Sequence, residues 1–283
     1  MARFPLGKKR KHDGRDLDAV IGDYELAPFP ALISQALERI GQPEFDLNGV
    51  ADLMAADPAV TVRLLGLVNS AALSRGRVIT SVHQAAVIVG RNQLESLLIS
   101  LAVKSALPSP TVPGFDRRRF WTTAARRAAI AGRLSMVVDP RRQSENFTAA
   151  LLQDMALPVL AERATGYSDT LLDWHESPVD LAGLERRTYG WDHGQISSLM
   201  AARWNFPLEL IDFMDGHHAA RAATDGDGLV PARVVAPIRE SDEAGDEHVV
   251  QLASDLFSLP ADQVVDLVTE SDADAARLAT MFV

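Results

Sequence analysis

The chain has no cysteine among its 283 residues. That excludes disulfides, thiolate metal sites, zinc ribbons and cysteine nucleophiles. No apolar run approaches the roughly 18 residues that a membrane-crossing helix needs. The first residues lack the apolar stretch of a secretory leader. These features predict a soluble, cytoplasmic protein without a membrane span. There is no Gly-rich phosphate loop, no His-Glu-x-x-His pair and no nucleophile elbow, so the common phosphate-cradle, zincin and serine-hydrolase patterns are missing. Alternating strand patterns are scarce and no long-period repeat is present. Positive charge is also short: the net charge is −10. A surface of that sign repels phosphate backbones, so nucleic acid is not an expected partner of the body.

What the chain does have is apolar content, 47% of residues, which is ample for a large core. Its charge is uneven. Residues 1–16 carry six basic and two acidic residues, +4, which leaves −14 for the rest. Residues 1–25, with Lys8-Lys9-Arg10-Lys11, read as a basic, disordered tail. It is either a solvated arm or an electrostatic contact to an acidic partner.

Helical periodicity begins at Pro28. Ile33, Ala36, Leu37 and Ile40 share one face, as do Leu47, Val50, Leu53 and Met54. Asp57-Pro58 starts a helix, with a carboxylate for the free amides and a proline where it is tolerated. Val82–Val89 and Leu94–Leu107 are separate helices on either side of Gly90. Residues 26–107 therefore form an N-terminal helical subdomain. Pro108, Pro110, Pro113 and Gly114 make 108–116 a linker. Helical pattern resumes over 117–283. Phe120-Trp121 opens a helix to about Val138. Phe147–Leu160 forms another, kinked or ended by Pro158, and Ser177-Pro178 starts one. Asp192 with Gln195 is a capping box, and Pro207 starts the helix bearing His217-His218. Three or four weaker segments follow the Gly/Asp-rich turn at 225–228. The fold class is all-α.

Several segments, in order, are similar to the HDOD family: Ala55-Ala56-Asp57-Pro58-Ala59, Arg63-Leu64-Leu65, Val68-Asn69-Ser70-Ala71, Ile79-Thr80-Ser81-Val82 and Ala86-Val87-Ile88-Val89-Gly90. Phe120-Trp121, Leu151-Leu152-x-Asp154, Gly190-Trp191-Asp192-His193, Arg203-Trp204-Asn205-Phe206-Pro207 and His217-His218 continue the match. The family is a signalling relative of HD-type metal phosphohydrolases. The resemblance implies an N-terminal helical subdomain packed on an HD-like bundle and a role in bacterial signalling. It also implies a degenerate site. The first histidine of HD hydrolases falls on Thr123, their paired His-Asp on Gln153-Asp154, and the following lysine on Leu157. His193 and one of His217 and His218 match later ligand positions. A neutral amide and a short hydroxyl are poor substitutes for imidazole on a transition metal. No catalytic residue and no cofactor is expected. No metal is expected either, with Asp154, His193 and His217 as the weak remaining set. Because adjacent helical residues point about 100° apart, one of His217 and His218 should face the pocket. These groups read either as hydrogen-bonded core or as a pocket kept for a ligand or partner.

Residues 117–142 hold eight arginines and one acidic residue, Asp139. Arg119, Arg126 and Arg133 are seven apart and so share a face. They form either a surface for phosphate or an acidic partner, or a solvated face balanced by the acidic body. Trp174, Trp191 and Trp204 read as core and subdomain contacts. The leading reading is a non-catalytic signalling adaptor with a protein partner. A cyclic-dinucleotide sensor and a residual metal-dependent phosphohydrolase are the alternatives.

Overall fold

The structure, a computed structural model, describes residues 17–22, 25–69, 78–176, 180–218, 229–239 and 243–282. The readings placed on Lys8–Lys11, Ser70-Ala71, Ser177-Pro178 and the turn at 225–228 lie outside the described residues. The described residues are helical, with no strand among them. The first half holds α1 (Leu17–Ile21), α2 (Ala31–Ile40), α3 (Leu47–Ala55), α4 (Pro58–Val68) and α5 (Val82–Ala106). Then come α6 (Arg117–Val138), α7 (Gln143–Leu152), α8 (Leu157–Arg163), α9 (Tyr167–Glu176) and α10 (Leu181–Tyr189). The remainder is α11 (His193–Arg203), α12 (Leu208–Gly216), α13 (Val230–Val234), α14 (Glu243–Phe257) and α15 (Ala261–Phe282).

Local chemistry sets many of these boundaries. Asp57 accepts from the amides of Ala59 and Val60 at 2.8 and 3.3 Å, with Pro58 in the first turn of α4. Ser81 caps α5 through Gln84 N. Gly90 has φ +74° and ψ −179° and breaks α5 into two arms. Over its full length α5 is long and apolar enough to cross a membrane, unlike the shorter runs read from the sequence. However, 56% of its most apolar window is buried inside the protein, and the break at Gly90 divides it. Asp116 caps α6 through Arg119 N at 2.8 Å, so the helix begins three residues before Phe120.

The core is continuous across both halves. The helices α2, α3 and α4 pack on α5, which also packs on α7, where the Thr148 hydroxyl donates to the Ser96 carbonyl at 3.1 Å. The middle of α6 is lined with Ala124, Ala125, Ala128, Ala129 and Ala131, all buried. Such small residues let α7 and α15 approach closely, and α15 lies along α6 with Trp121 stacked on Phe282, ring centroids 5.1 Å apart. The C-terminal segment thus contributes a 22-residue packing helix rather than only weak segments.

Two expectations need correction, for residues 17–21 and Pro158, while the linker at 108–116 does connect α5 to α6. Residues 17–21, read as tail, are a helix whose Leu17 and Ile21 are buried where α1 meets α8 and α11. The proline-rich segment is pinned: the Ser168 hydroxyl donates to Pro113 O at 2.6 Å, and His175 Nε2 lies 3.0 Å from Gly114 O. Pro158 opens α8 instead of ending a helix, because α7 stops at Leu152 and a turn intervenes.

Candidate functional site

Four side chains from three places meet at the base of the second half: Asp154, His193, His217 and His218. Asp154 sits in the turn between α7 and α8. That turn is tied to α11 by the Ala156 amide, which donates to Ser197 Oγ at 3.1 Å. His193 is the first residue of α11, placed by the capping box: Gln195 N reaches Asp192 Oδ1 at 2.9 Å and Asp192 N reaches Gln195 Oε1 at 3.2 Å. Gly194 permits the approach of α12, since a Cβ there would stand 2.8 Å from Met214 O. His217 follows the last residue of α12, and His218 comes next. Both rings, rather than one, face the cluster, with centroids 3.9 Å apart.

The ring orientations are set from outside. His193 Nδ1 lies 2.7 Å from Glu185 Oε2, and His217 Nδ1 lies 2.8 Å from Met214 O. A carboxylate and a carbonyl only accept, so each Nδ1 carries a hydrogen, and in the neutral form of each ring the Nε2 lone pair turns inward. Asp154 Oδ1 lies 3.3 Å from both His193 Nε2 and His217 Nε2. Asp154 Oδ1 and His217 Nε2 are nevertheless buried without an aligned hydrogen bond. The other carboxylate oxygen of Asp154 accepts from Arg127, whose Nε also donates to Ile238 O at 2.8 Å. The 234–238 segment, which has no aspartate, thus supplies a carbonyl.

Burial alone would raise the Asp154 pKa; the Arg127 guanidinium, then His193 and His217, outweigh it and hold the carboxyl well below the usual range. Burial opposes charge on His193, but Glu185 and Asp154 prevail and lift its pKa well above the usual value. Burial and the neighbouring His217 and His193 push His218 well down.

The donor set fits a divalent cation. Tetrahedral zinc with bonds of about 2.0–2.1 Å has donor–donor edges of about 3.3 Å, and imidazole with carboxylate is its ordinary company. When bound, such an ion would be held by these four residues and would supply Lewis acidity there. The structure therefore enlarges the weak three-residue set by His218.

Thr123 and Leu157 line a cavity of about 60 Å³ beside Asp154, together with Arg119, Phe120, Trp174 and Arg239. Trp174 is consequently a cavity wall, beneath the Arg239 guanidinium at 5.0 Å, and not only a core contact. Trp204 does bridge, packing on Phe29 at 5.0 Å and donating from Nε1 to Ala27 O at 3.3 Å. Gln153 is buried, and neither of its amide atoms has a hydrogen-bond partner.

The arginine face is mostly spent within the molecule. Arg126 grips Asp246 at 2.7 and 2.8 Å and Asp272 at 3.0 Å; Arg133 reaches Asp274 at 2.8 Å and Glu270 at 2.6 Å. The shared face exists, but the acidic C-terminal helices cover it, so Arg126 and Arg133 are not an open phosphate surface. Sequence reasoning missed Arg127 and Glu185. Arg127 stands four residues after Thr123, which places both on one helical face; for Glu185 no local signal exists.

The HDOD domain family matches residues 26–220. An uncharacterized protein of Treponema pallidum is 26% identical over 210 residues, 71% of this chain and 40% of that protein, so the chain spans well under half of its relative. An HDOD domain protein of unknown function from Geobacter sulfurreducens superposes with TM-score 0.67 at 19% identity, covering 93% of this chain and 95% of that one. A Shewanella amazonensis protein provisionally named a phosphohydrolase gives 0.68 at 20%, covering 91% and 95%. A Marinobacter aquaeolei protein provisionally named for signal transduction gives 0.65 at 21%, covering 91% of this chain and 60% of that one.

Proposed function

The chain belongs to the HDOD family, and from that membership we propose that it is a signal-transduction regulator that works by binding another protein and not by hydrolysing a phosphoester. The observation that carries this reading is Arg127 on Asp154. Phosphoester hydrolysis with two metal ions needs ligand oxygens that can serve both cations. Here one oxygen of Asp154 is occupied by Arg127, and the other faces imidazoles. No carboxylate oxygen remains for a second cation. Thr123 and Leu157 on the cavity side add no charged ligand, and the charged side chains that line the cavity with Asp154 are Arg119, Arg127 and Arg239.

The name of the Marinobacter relative accords with a regulatory role, while that of the Shewanella relative points to the hydrolase alternative. The cyclic-dinucleotide reading loses support, because Arg126 and Arg133 are engaged by Asp246, Asp272, Asp274 and Glu270.

The test is an assay of the full chain against phosphomonoesters, phosphodiesters and cyclic dinucleotides with zinc, manganese, magnesium and ferrous iron. No turnover above the metal-only background is expected. Turnover that disappears in Asp154→Asn overturns the non-catalytic reading. Affinity purification from native cells should then recover a stoichiometric protein partner, and repeated recovery of none overturns the binding half.

A further inference from the structure

We propose that Asp154, His193, His217 and His218 form a closed, single-cation site that takes a borderline divalent metal such as zinc and clasps the α7–α8 turn, the start of α11 and the end of α12 together. The proposal goes beyond the adaptor reading and stands or falls separately from it.

Four observations converge. First, the four donors lie within 4.8 Å of one another, from segments far apart in the chain. Second, the Asp154 Oδ1 to Nε2 distances of 3.3 Å match the edge of a tetrahedral zinc shell, about 3.3 Å. Third, Asp154 Oδ1 and His217 Nε2 are buried polar atoms without hydrogen bonds; leaving such atoms unsatisfied costs about 1–3 kcal/mol each. Fourth, His193 Nε2 and His218 Nε2 stand 2.7 Å apart. The Nδ1 of His193 already holds a hydrogen against Glu185, so the Nε2 of neutral His193 is an acceptor turned to the same point as His218 Nε2, open either to a hydrogen from His218 or to a cation.

The chemistry selects the class of ion. Three imidazoles and one carboxylate oxygen suit zinc and its transition-metal neighbours better than magnesium or calcium, which favour shells of oxygen. Four protein donors complete a tetrahedron, the arrangement of structural zinc, whereas a catalytic site keeps a position for water. Glu185 and Met214 O then act as the outer partners that hold the rings, and Arg127 holds the carboxylate.

The experiment uses full-length protein prepared without a histidine tag. Elemental analysis should find about one zinc-class ion per chain. After chelation, zinc titration should raise the thermal midpoint and saturate at one equivalent. Cobalt(II) should give the visible spectrum of a four-coordinate site. His218→Ala, at the partly exposed edge, and the isosteric Asp154→Asn should each weaken zinc binding at least about tenfold while circular dichroism confirms a folded chain. A folded wild type with no bound metal and no zinc-dependent shift overturns the proposal. Zinc binding indifferent to both substitutions overturns it equally, as an adventitious ion only. A cobalt spectrum typical of six-coordinate, water-rich sites overturns the closed geometry.

Discussion

The Arg126 guanidinium meets both oxygens of Asp246, at 2.7 and 2.8 Å, and so fastens α14 to α6 across 120 residues of sequence. Its Nε reaches Asp272 on α15 in the same grip. Breaking a fully buried pair by removing one partner costs about 3–5 kcal/mol, and an exposed pair is worth at most about 1 kcal/mol. Arg126 is buried while Asp246 is partly open. Arg126→Ala should therefore cost about 2 kcal/mol in chemical denaturation. A loss under about 0.5 kcal/mol would show that the C-terminal helices are held by apolar packing alone.

Gly194→Ala should destabilise by about 1–3 kcal/mol, the usual cost of overpacking. The new methyl would press on Met214 O at 2.8 Å, a backbone atom that cannot rotate away, and on the His217 ring at 3.1 Å. The thermal midpoint checks it, and an unchanged midpoint would mean that α11 and α12 slide freely.

Gln153→Leu should be neutral or stabilising. Both amide atoms of Gln153 are buried without partners, and such desolvation costs about 1–3 kcal/mol. A measured loss above 1 kcal/mol would reveal a hydrogen-bonded partner, such as an ordered water, for that amide.

Tyr167 donates its hydroxyl to buried Glu185, and burial followed by that carboxylate pushes the phenol well above its ordinary pKa. A raised folded pKa contributes stability that is complete below the unfolded value, about 10, and is lost as pH rises through the folded one. Ultraviolet titration should show a phenolate that appears only with alkaline unfolding and vanishes in Tyr167→Phe. Reversible ionisation of Tyr167 near pH 10 in folded protein would contradict the burial.

Glu185→Gln should leave His193 misoriented and weaken zinc binding about 10–100-fold, the range for outer partners of ligating histidines. Isothermal titration measures it. An unchanged affinity would show that His193 is held by α11 alone.

Local chemistry was the legible part of the fold. The Asp57-Pro58 start, the break at Gly90 and the Asp192–Gln195 box each involve residues within a turn of one another. Partnerships at long range were not legible. The seven-residue spacing of Arg126 and Arg133 placed them together but could not reveal the acidic residues of α14 and α15 opposite. The step of about 100° between His217 and His218 describes where their side chains leave the backbone but not where the two rings end, which is in one cluster with centroids 3.9 Å apart. The helix α1, five residues long, is too short to display a period. Glu185 meets His193 only because α10 turns back on α11 after the left-handed Gly190, φ +78°.

Each end of the described chain is bound into the opposite half. Leu17 and Ile21 pack where α1 meets α8 and α11, and Met281 near the other end fills the space at Gly66 on α4. A ribosome adds about 5–20 residues per second, and domains usually fold as they emerge. Here the contact of α1 with α11 can form only once residues up to 203 are made, and the contact of Gly66 with Met281 only once α15 is made, although α4 already packs on α3 and α5. The contacts that join the two ends to the opposite half are thus completed late in synthesis. A nascent chain stalled before α15 should expose the Trp121 face that Phe282 covers and present it to chaperones.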